Sequence, residues 1–467
     1  MDDRVAKLEQ DYTVLKERMV FLEKLNQELV EQNKELLEEN KEYAEKFAHL
    51  PKTSDKEKKM RGESKTLRYK MVTVLFADIK GFTNLAEQDD AQLLIDELDS
   101  FFIFFDEIVE RYNIEKIRSI GDSYIAAGGI PKKNRTNPIE VVLAALEVSE
   151  YMVQLQKKYE ANGRKIWDLT IGIHTGGVIA QPNVGKKKVT YDIKGDTVDV
   201  ACRIEASCEA GKINISQMTY ELVKEYFACE YKSKMPIKYK GDINMYYVKG
   251  LRPDFSVGGR GLKPNQRFKI KFQMIKYQDL EEFILDMLER ELPKHLYYHN
   301  LKHTIDVITQ CEIIGSNEGV SEAEMLLLKT AAVFHDAGQV YGSRGHEAKS
   351  CEMAGETLPQ WGYSDEQINV IKGIIMATKL PPEPQTLLQE VICDSDLDYV
   401  GRQDFIPVSD TLYRELKVQN LVGHINDWNK LQIKFLEMHN FFTPTALSLR
   451  QVNKELQIDR LKSLITD

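Results

Sequence analysis

MVTVLFADIKGFT (Met71 to Thr83) is apolar and rich in β-branched residues up to Ile79, with a single acid, Asp78, near its end. A run of this kind reads as a buried strand that delivers a carboxylate to a sheet edge. Further on, IEKIRSIGDSYIAAG (Ile114 to Gly128) reads as a hairpin that breaks at Gly121, where a tight turn presents Asp122. One Asp at a strand end is usually a turn former. Two on adjacent strand ends suit two divalent cations, the arrangement that activates a hydroxyl and neutralises a phosphate together.

Outward from these two strings, strand-like and helix-like segments alternate to Gly250. Asp90 to Tyr112 and Asn137 to Glu160 carry helical periodicity. Trp167 to His174, Val189 to Ile193 and Tyr246 to Val248 read as strands, and Asp196 to Ala210 as a helix. The expected fold is α+β, with an α/β sandwich over residues 70–250. Gly- and Pro-rich residues 251–271 read as a linker, and residues 272–467 as a separate, almost wholly helical domain.

Residues 1–50 carry heptads. Leu8, Leu15, Leu22, Leu29 and Leu36 occupy successive d positions, and Asn26, Asn33 and Asn40 occupy a positions. Leu at d with Asn at a predicts a parallel dimeric coiled coil. Residues 51–69 are polar and charged, a linker. The coil is a candidate docking place for an upstream signalling partner. Net charge is −10 without a large basic block, which argues against nucleic acid as partner, although GKKK (Gly185 to Lys188) remains a local phosphate-binding candidate. There is no run of 18 apolar residues and no signal-like N-terminus, so no membrane span is expected. The six cysteines form no CxxC pair, and a reducing cytoplasm is the expected location.

Four ordered strings give the first domain a family likeness: FADIKGFT (Phe76 to Thr83), IEKIRSIGDSYIA (Ile114 to Ala126), IGIHTGGVIA (Ile171 to Ala180) and YDIKGDTVDVACRIE (Tyr191 to Glu205). The segment resembles the class III nucleotidyl cyclases, which implies a ferredoxin-like α/β sandwich. By that resemblance Asp78, Ile79 and Asp122 bind two Mg²⁺ or Mn²⁺ ions. Asp192 accepts from the adenine amino group, and Arg118 stands where adenylyl cyclases commonly have a base-reading Lys. Guanylyl cyclases have Glu and Cys at these two positions, so ATP is the implied substrate. Arg203 matches the transition-state arginine, and Lys240 the lysine on the terminal phosphates, with Lys238 as its neighbour and rival. Asp199 departs from the pattern: TVDVA stands where the family has Asn, and an ionised carboxylate cannot donate a hydrogen bond. In the family the site lies between two cyclase domains, and this chain carries both residue sets, which implies a homodimer.

The helical half holds a second constellation. YHNLKHT places His299 and His303 at i and i+4, on one face if helical. FHDAG joins His335 to Asp336, GHEAKS offers His346 and Glu347, and CDSDLDYVG offers Asp394, Asp396 and Asp398. Histidines and carboxylates in this mixture suit a divalent metal that activates water. The segment resembles the HD phosphohydrolases, and its YHN opening is similar to that of cyclic-nucleotide phosphodiesterases. This implies metal ligation by His303, His335, Asp336 and Asp396, with Asp394 as the alternative fourth ligand. His299 becomes the candidate acid for the leaving oxygen.

The sequence therefore predicts an adenylate cyclase that forms cyclic AMP and pyrophosphate, joined to a phosphohydrolase. The alternative is a degenerate, nucleotide-sensing cyclase domain that regulates an active HD domain, and Asp199 is the residue that favours it.

Overall fold

The computed structural model describes residues 66–80, 91–161, 167–184, 189–237 and 241–465. The heptads, the charged stretch to Lys65, the GKKK patch, Lys238 and Lys240 lie outside the described residues.

The first domain opens β1 (Leu67–Lys80), α1 (Ala91–Arg111), β2 (Glu115–Ile120), β3 (Ser123–Gly128), α2 (Asn137–Ala161), β4 (Asp168–Val184). These strands lie in the order β2-β3-β1-β4, with β3 antiparallel to both β1 and β2. That is the split βαβ arrangement of ferredoxin-like folds. After β5 (Val189–Lys194) and α3 (Asp196–Ala206) come β6 (Ile213–Ser216), α4 (Gln217–Val223), β7 (Phe227–Ile237) and β8 (Gly241–Leu251). β6 runs parallel to β4, and β8 and β7 extend the sheet beyond it.

Strand alternation assigns the two faces. Leu75, Ala77 and Ile79 of β1, with Ile171, Ile173, Ile213 and Ile215, pack against Phe101, Phe105 and Ile108 of α1 and the buried side of α2. The opposite face carries Asp78, Thr170, Gly172 and Asn214, and α3 lies over it. Asn214 donates to the Ile204 carbonyl at 2.8 Å, and Val200 and Ile204 pack on Met245. A Cβ on Gly172 would sit 2.2 Å from the Glu205 main-chain nitrogen, so only glycine lets the helix lie this close.

The segment read as a linker is folded. Leu251, Val257 and Asn265 donate main-chain hydrogen bonds to Gly261, Lys263 and Phe255, and the glycines serve turns, with Gly258, Gly259 and Gly261 at positive φ. α5 (Gln266–Glu291) then starts inside it, capped by the Asn265 side chain. This helix belongs to two cores. Phe268, Phe272 and Ile275 pack with the first domain, while Tyr277, Leu280, Ile284 and Leu288 are buried in the second. Arg135, in the loop before α2, grips the same helix through Asp279 and through Glu282 at 2.8 Å.

The second domain continues as α6 (Leu301–Asn317), α7 (Glu322–Phe334), α8 (His346–Thr357), α9 (Asp365–Ala377), α10 (Leu387–Asp396), α11 (Phe405–Val418), α12 (Ile425–Met438) and α13 (Pro444–Leu464). Ser321 and Ser364 start α7 and α9 with full capping boxes. Among the described residues, no helix is long and apolar enough to cross a membrane.

Candidate functional site

Asp78 and Asp122 meet at the end of the first hairpin. Asp78 is opposite Ser123 in the β1–β3 register, and the Ile79 amide donates to the Asp122 carbonyl at 3.1 Å. Gly121 turns the chain with φ +58°. The Asp78 carboxylate is held at both oxygens: Ser123 Oγ donates to Oδ1 at 2.8 Å, and Lys80 Nζ donates to Oδ2 at 2.6 Å. Lys80 also reaches Glu205 Oε1 at 3.0 Å, and Thr170 Oγ1 donates to that same oxygen at 2.6 Å. Two carboxyl side chains and the Ile79 main chain at one strand-end turn are hard oxygen donors, which suit Mg²⁺ or Mn²⁺.

Arg118 and Asp192 lie on neighbouring strands, β2 and β5, with Arg118 exposed beside a register shift. Asp199 and Arg203 are both exposed on α3, one turn apart. Glu205, two residues beyond Arg203, is buried and turned to the sheet. Two residues rotate a helix by about 200°, so Arg203 faces away from the Asp78 of its own chain. Ile120, at the tip of β2 beside this site, is 62% exposed. A cavity of about 590 Å³ at the start of α3, lined by His174, Thr197, Gln217 and Asp242 among others, contains none of the predicted site residues.

In the helical domain His303, His335 and Asp396 present ligand atoms within 4.8 Å of one another. His303 Nε2 stands 3.0 Å from Asp396 Oδ1, and both imidazoles stand 3.4 Å from Asp336 Oδ2. That Asp336 oxygen is buried without a hydrogen-bond partner. A buried carboxylate oxygen without a hydrogen-bond partner, aimed between two imidazoles, suits a divalent cation. Burial opposes charge here, yet Asp336 and Asp396 hold both rings above the usual histidine range. The rings in turn hold the carboxylates low. His335 Nδ1 faces the Ala332 carbonyl at 2.7 Å, which leaves Nε2 directed at the cluster. His346 Nε2 lies 3.1 Å from the other oxygen, Asp336 Oδ1, and 3.9 Å from Glu347. Burial pushes the His346 ring down, but Asp336 outweighs it and lifts it to about 9. Gly338 permits this approach, since a Cβ there would sit 2.0 Å from the His346 carbonyl.

Two expectations need correction. His299 and His303 do not share a helix face: the Asn300 side chain accepts from the Lys302 and His303 amides, which starts α6 after His299. The two rings are nevertheless 5.9 Å apart. Asp394 is no alternative ligand. It is fully buried and accepts from the Phe442 and Thr443 amides and from Thr443 Oγ1, fixing the start of α13. Asp398 pairs with Arg450, so of the three acids in CDSDLD only Asp396 faces the histidines.

The sequence reading missed Glu415. It lies on α11, 1% exposed, accepts from the Tyr298 and His299 amides at 2.8 and 3.1 Å, and meets His299 Nδ1 at 2.5 Å. Burial alone drives its carboxyl up, but His299 and the two amides hold it below the usual range. A cavity of about 350 Å³ runs from His303 and Asp396 past Tyr298 to Arg402.

Residues 65–250 match the adenylate and guanylate cyclase catalytic domain family, and residues 300–398 match the HD domain family. The chain thus joins a class III nucleotidyl cyclase catalytic domain to an HD domain. An adenylate cyclase of Mycobacterium tuberculosis is 32% identical over 198 residues, 42% of this chain and 44% of its own. Human guanylyl cyclase C is 31% identical over 210 residues, 44% of this chain and 19% of its own. Among solved structures, the adenylyl cyclase CyaB from P. aeruginosa is 28% identical, with a TM-score of 0.38, over 41% of this chain and all of its own. The chain spans less than half the length of these curated relatives, whose names cover both adenylate and guanylyl cyclases.

Proposed function

We propose that the protein is an adenylate cyclase that converts ATP to 3′,5′-cyclic AMP and pyrophosphate at a homodimer interface, with an HD domain that hydrolyses a phosphoester or cyclic nucleotide. The observation that carries the cyclase reading is the pair Asp78 and Asp122 on adjoining strand ends. Asp78, Asp122 and the main-chain carbonyl of Ile79 would hold two Mg²⁺ or Mn²⁺ ions, which when bound acidify the ribose 3′-hydroxyl and neutralise the triphosphate. The ribose 3′-hydroxyl gives its proton to solvent water, O3′ bonds to the α-phosphorus, the bond from that phosphorus to the bridging oxygen of the β-phosphate breaks, and pyrophosphate leaves. Asp192 accepts from the adenine amino group, and Arg118 donates to the ring. Arg203 donates to the charge at the α-phosphate, and Lys240 holds the terminal phosphates. Because Arg203 faces away from its own Asp78, it serves the carboxylates of a second protomer. The exposed Ile120 supports that contact, and the parallel coiled coil would hold the pair together.

In the HD domain, His303, His335, Asp336 and Asp396 would hold a divalent ion, with His346 and Glu347 beside Asp336 for a second. Metal bound there supplies an activated water. His299 donates the proton to the leaving oxygen, and Glu415 orients its ring.

The test is a product assay with ATP, GTP, CTP and UTP in Mg²⁺ or Mn²⁺. Cyclic AMP and pyrophosphate form, and Asp78→Ala abolishes both. Decay of that cyclic AMP to AMP, lost on Asp336→Ala, assigns the HD substrate. No cyclic product even with Mn²⁺ refutes the cyclase reading. The nucleotide-sensing alternative rests on Asp199, an exposed negative charge one turn from Arg203. A large gain of activity on Asp199→Asn would favour it.

A further inference from the structure

The family likeness assigns no role to Lys80. It is the last residue of β1 and lies on the same strand face as Asp78, two residues earlier. Its ammonium spans two carboxylates, 2.6 Å from Asp78 and 3.0 Å from Glu205. Glu205 is only 4% exposed, and Lys80 is its one salt-bridge partner among the described residues. A buried carboxylate without a counter-charge is costly, so Lys80 has a reason to stay whether or not Asp78 is engaged. Ser123 holds the other Asp78 oxygen. A divalent ion that approaches Asp78 therefore meets an oxygen already taken by a positive charge.

We infer that Lys80 is a built-in competitor of the cyclase metal: its ammonium shares Asp78 with Glu205 in the metal-free protein and withdraws onto Glu205 when a divalent cation binds. This rests on the reading that Asp78 is a metal ligand. Glu205 is the second half of the device, the position to which the displaced charge retreats. Because Glu205 lies on α3, the helix that carries Arg203, the Lys80–Glu205 pair ties β1 to that helix in both states. Lys80 thus sets the metal concentration at which the site fills, and does so without touching nucleotide.

The two partners have opposite signatures. Removing Lys80 frees Asp78 and leaves Glu205 as an extra acid, so metal binding tightens. Neutralising Glu205 leaves the ammonium wholly on Asp78, so metal binding weakens. Lys80 is partly exposed, and solvent discounts the pair to about 1 kcal/mol, so each shift is about fivefold.

The experiment is a Mn²⁺ titration of the full chain, with free Mn²⁺ read by electron paramagnetic resonance. The sites that disappear in Asp78→Asn define the cyclase metal and separate it from the HD centre. Lys80→Met should bind that class about fivefold tighter, and Glu205→Gln about fivefold weaker. The double variant Lys80→Met/Glu205→Gln, which leaves no buried unpaired acid, should still bind tighter than the parent, and serves if Lys80→Met alone does not fold. Asp78-dependent sites whose affinity ignores Lys80 overturn the competitor and leave the metal reading standing. Absence of any Asp78-dependent Mn²⁺ overturns both.

Discussion

Replacing Glu415 with glutamine removes one negative charge and keeps the shape that the Tyr298 and His299 amides contact. Glu415 is 1% exposed and lies 2.5 Å from His299 Nδ1, so solvent does little to screen the interaction. A hydrogen bond to a charged partner contributes about 1.5–3 kcal/mol, and losing half to all of it in the transition state is roughly a thirtyfold fall in rate. The fall should depend on the leaving group. A group acting as acid matters when an alkoxide departs and little when a stable phenolate does. The assay compares hydrolysis of 3′,5′-cyclic AMP with that of bis(p-nitrophenyl) phosphate in Mn²⁺, with bound metal counted by elemental analysis. Glu415→Gln should lose about thirtyfold on the alkyl ester and less than about threefold on the nitrophenyl ester, at unchanged metal content. Equal losses on both esters, or loss of metal, would refute the orienting role and recast Glu415 as scaffold. Glu415→Ala also strands two main-chain amides, and should cost about 2–4 kcal/mol of stability.

Other perturbations follow from the packing. Gly172→Ala places a methyl against the Glu205 backbone, so it should lift α3, destabilise the cyclase domain by about 2 kcal/mol or more and cut cyclase activity, with hydrolysis of bis(p-nitrophenyl) phosphate retained. His439 is buried, and burial first, Lys454 second, push its ring down to about 4. The unfolded chain then binds the extra proton, so this contribution is complete above pH 6.5 and fades as pH falls toward 4. Urea unfolding should show roughly 2 kcal/mol lost between pH 7 and 5 from this group, and His439→Leu should flatten that slope. Arg135→Ala breaks the grip on Asp279 and Glu282; native-state hydrogen exchange should then rise in the loop before α2, with little change in α10.

The fold was legible where burial wrote a clear pattern. α1, the first hairpin and α2 emerged with boundaries within a residue or so, because each has one apolar face against one core, whereas β1 begins at Leu67, four residues before the run that starts at Met71. β7 escaped notice because FACEYKSKMPI mixes charges into a strand whose solvent side is polar. β8 was read as three residues of eleven for the same reason. The linker was misread because its glycines and prolines signal turns, and composition alone does not separate a folded turn from a flexible tether. Within the candidate site, the residues that the structure brings together were noticed where they lie in short motifs: HD supplies His335 and Asp336, and GHE supplies His346. Glu415 was not, since it stands 116 residues from His299 in a helix whose local sequence carries no sign of its partner. The choice among Asp394, Asp396 and Asp398 was equally hidden, since it is decided by which acid α13 claims first.

α5 has a consequence for how the protein can be divided. A cut at residue 272, where the sequence suggests a boundary, removes Phe268 from the helical half and leaves Phe272 and Ile275 with no sheet to lie against. It also leaves the cyclase half without Ile275 and without Phe272, which stacks on Phe268. Neither fragment inherits a complete interior. The two halves are thus bonded like adjoining rooms that share one structural beam, and heat should bring them down together. Calorimetry of the whole chain should then trace one joint transition where two independent modules would give two.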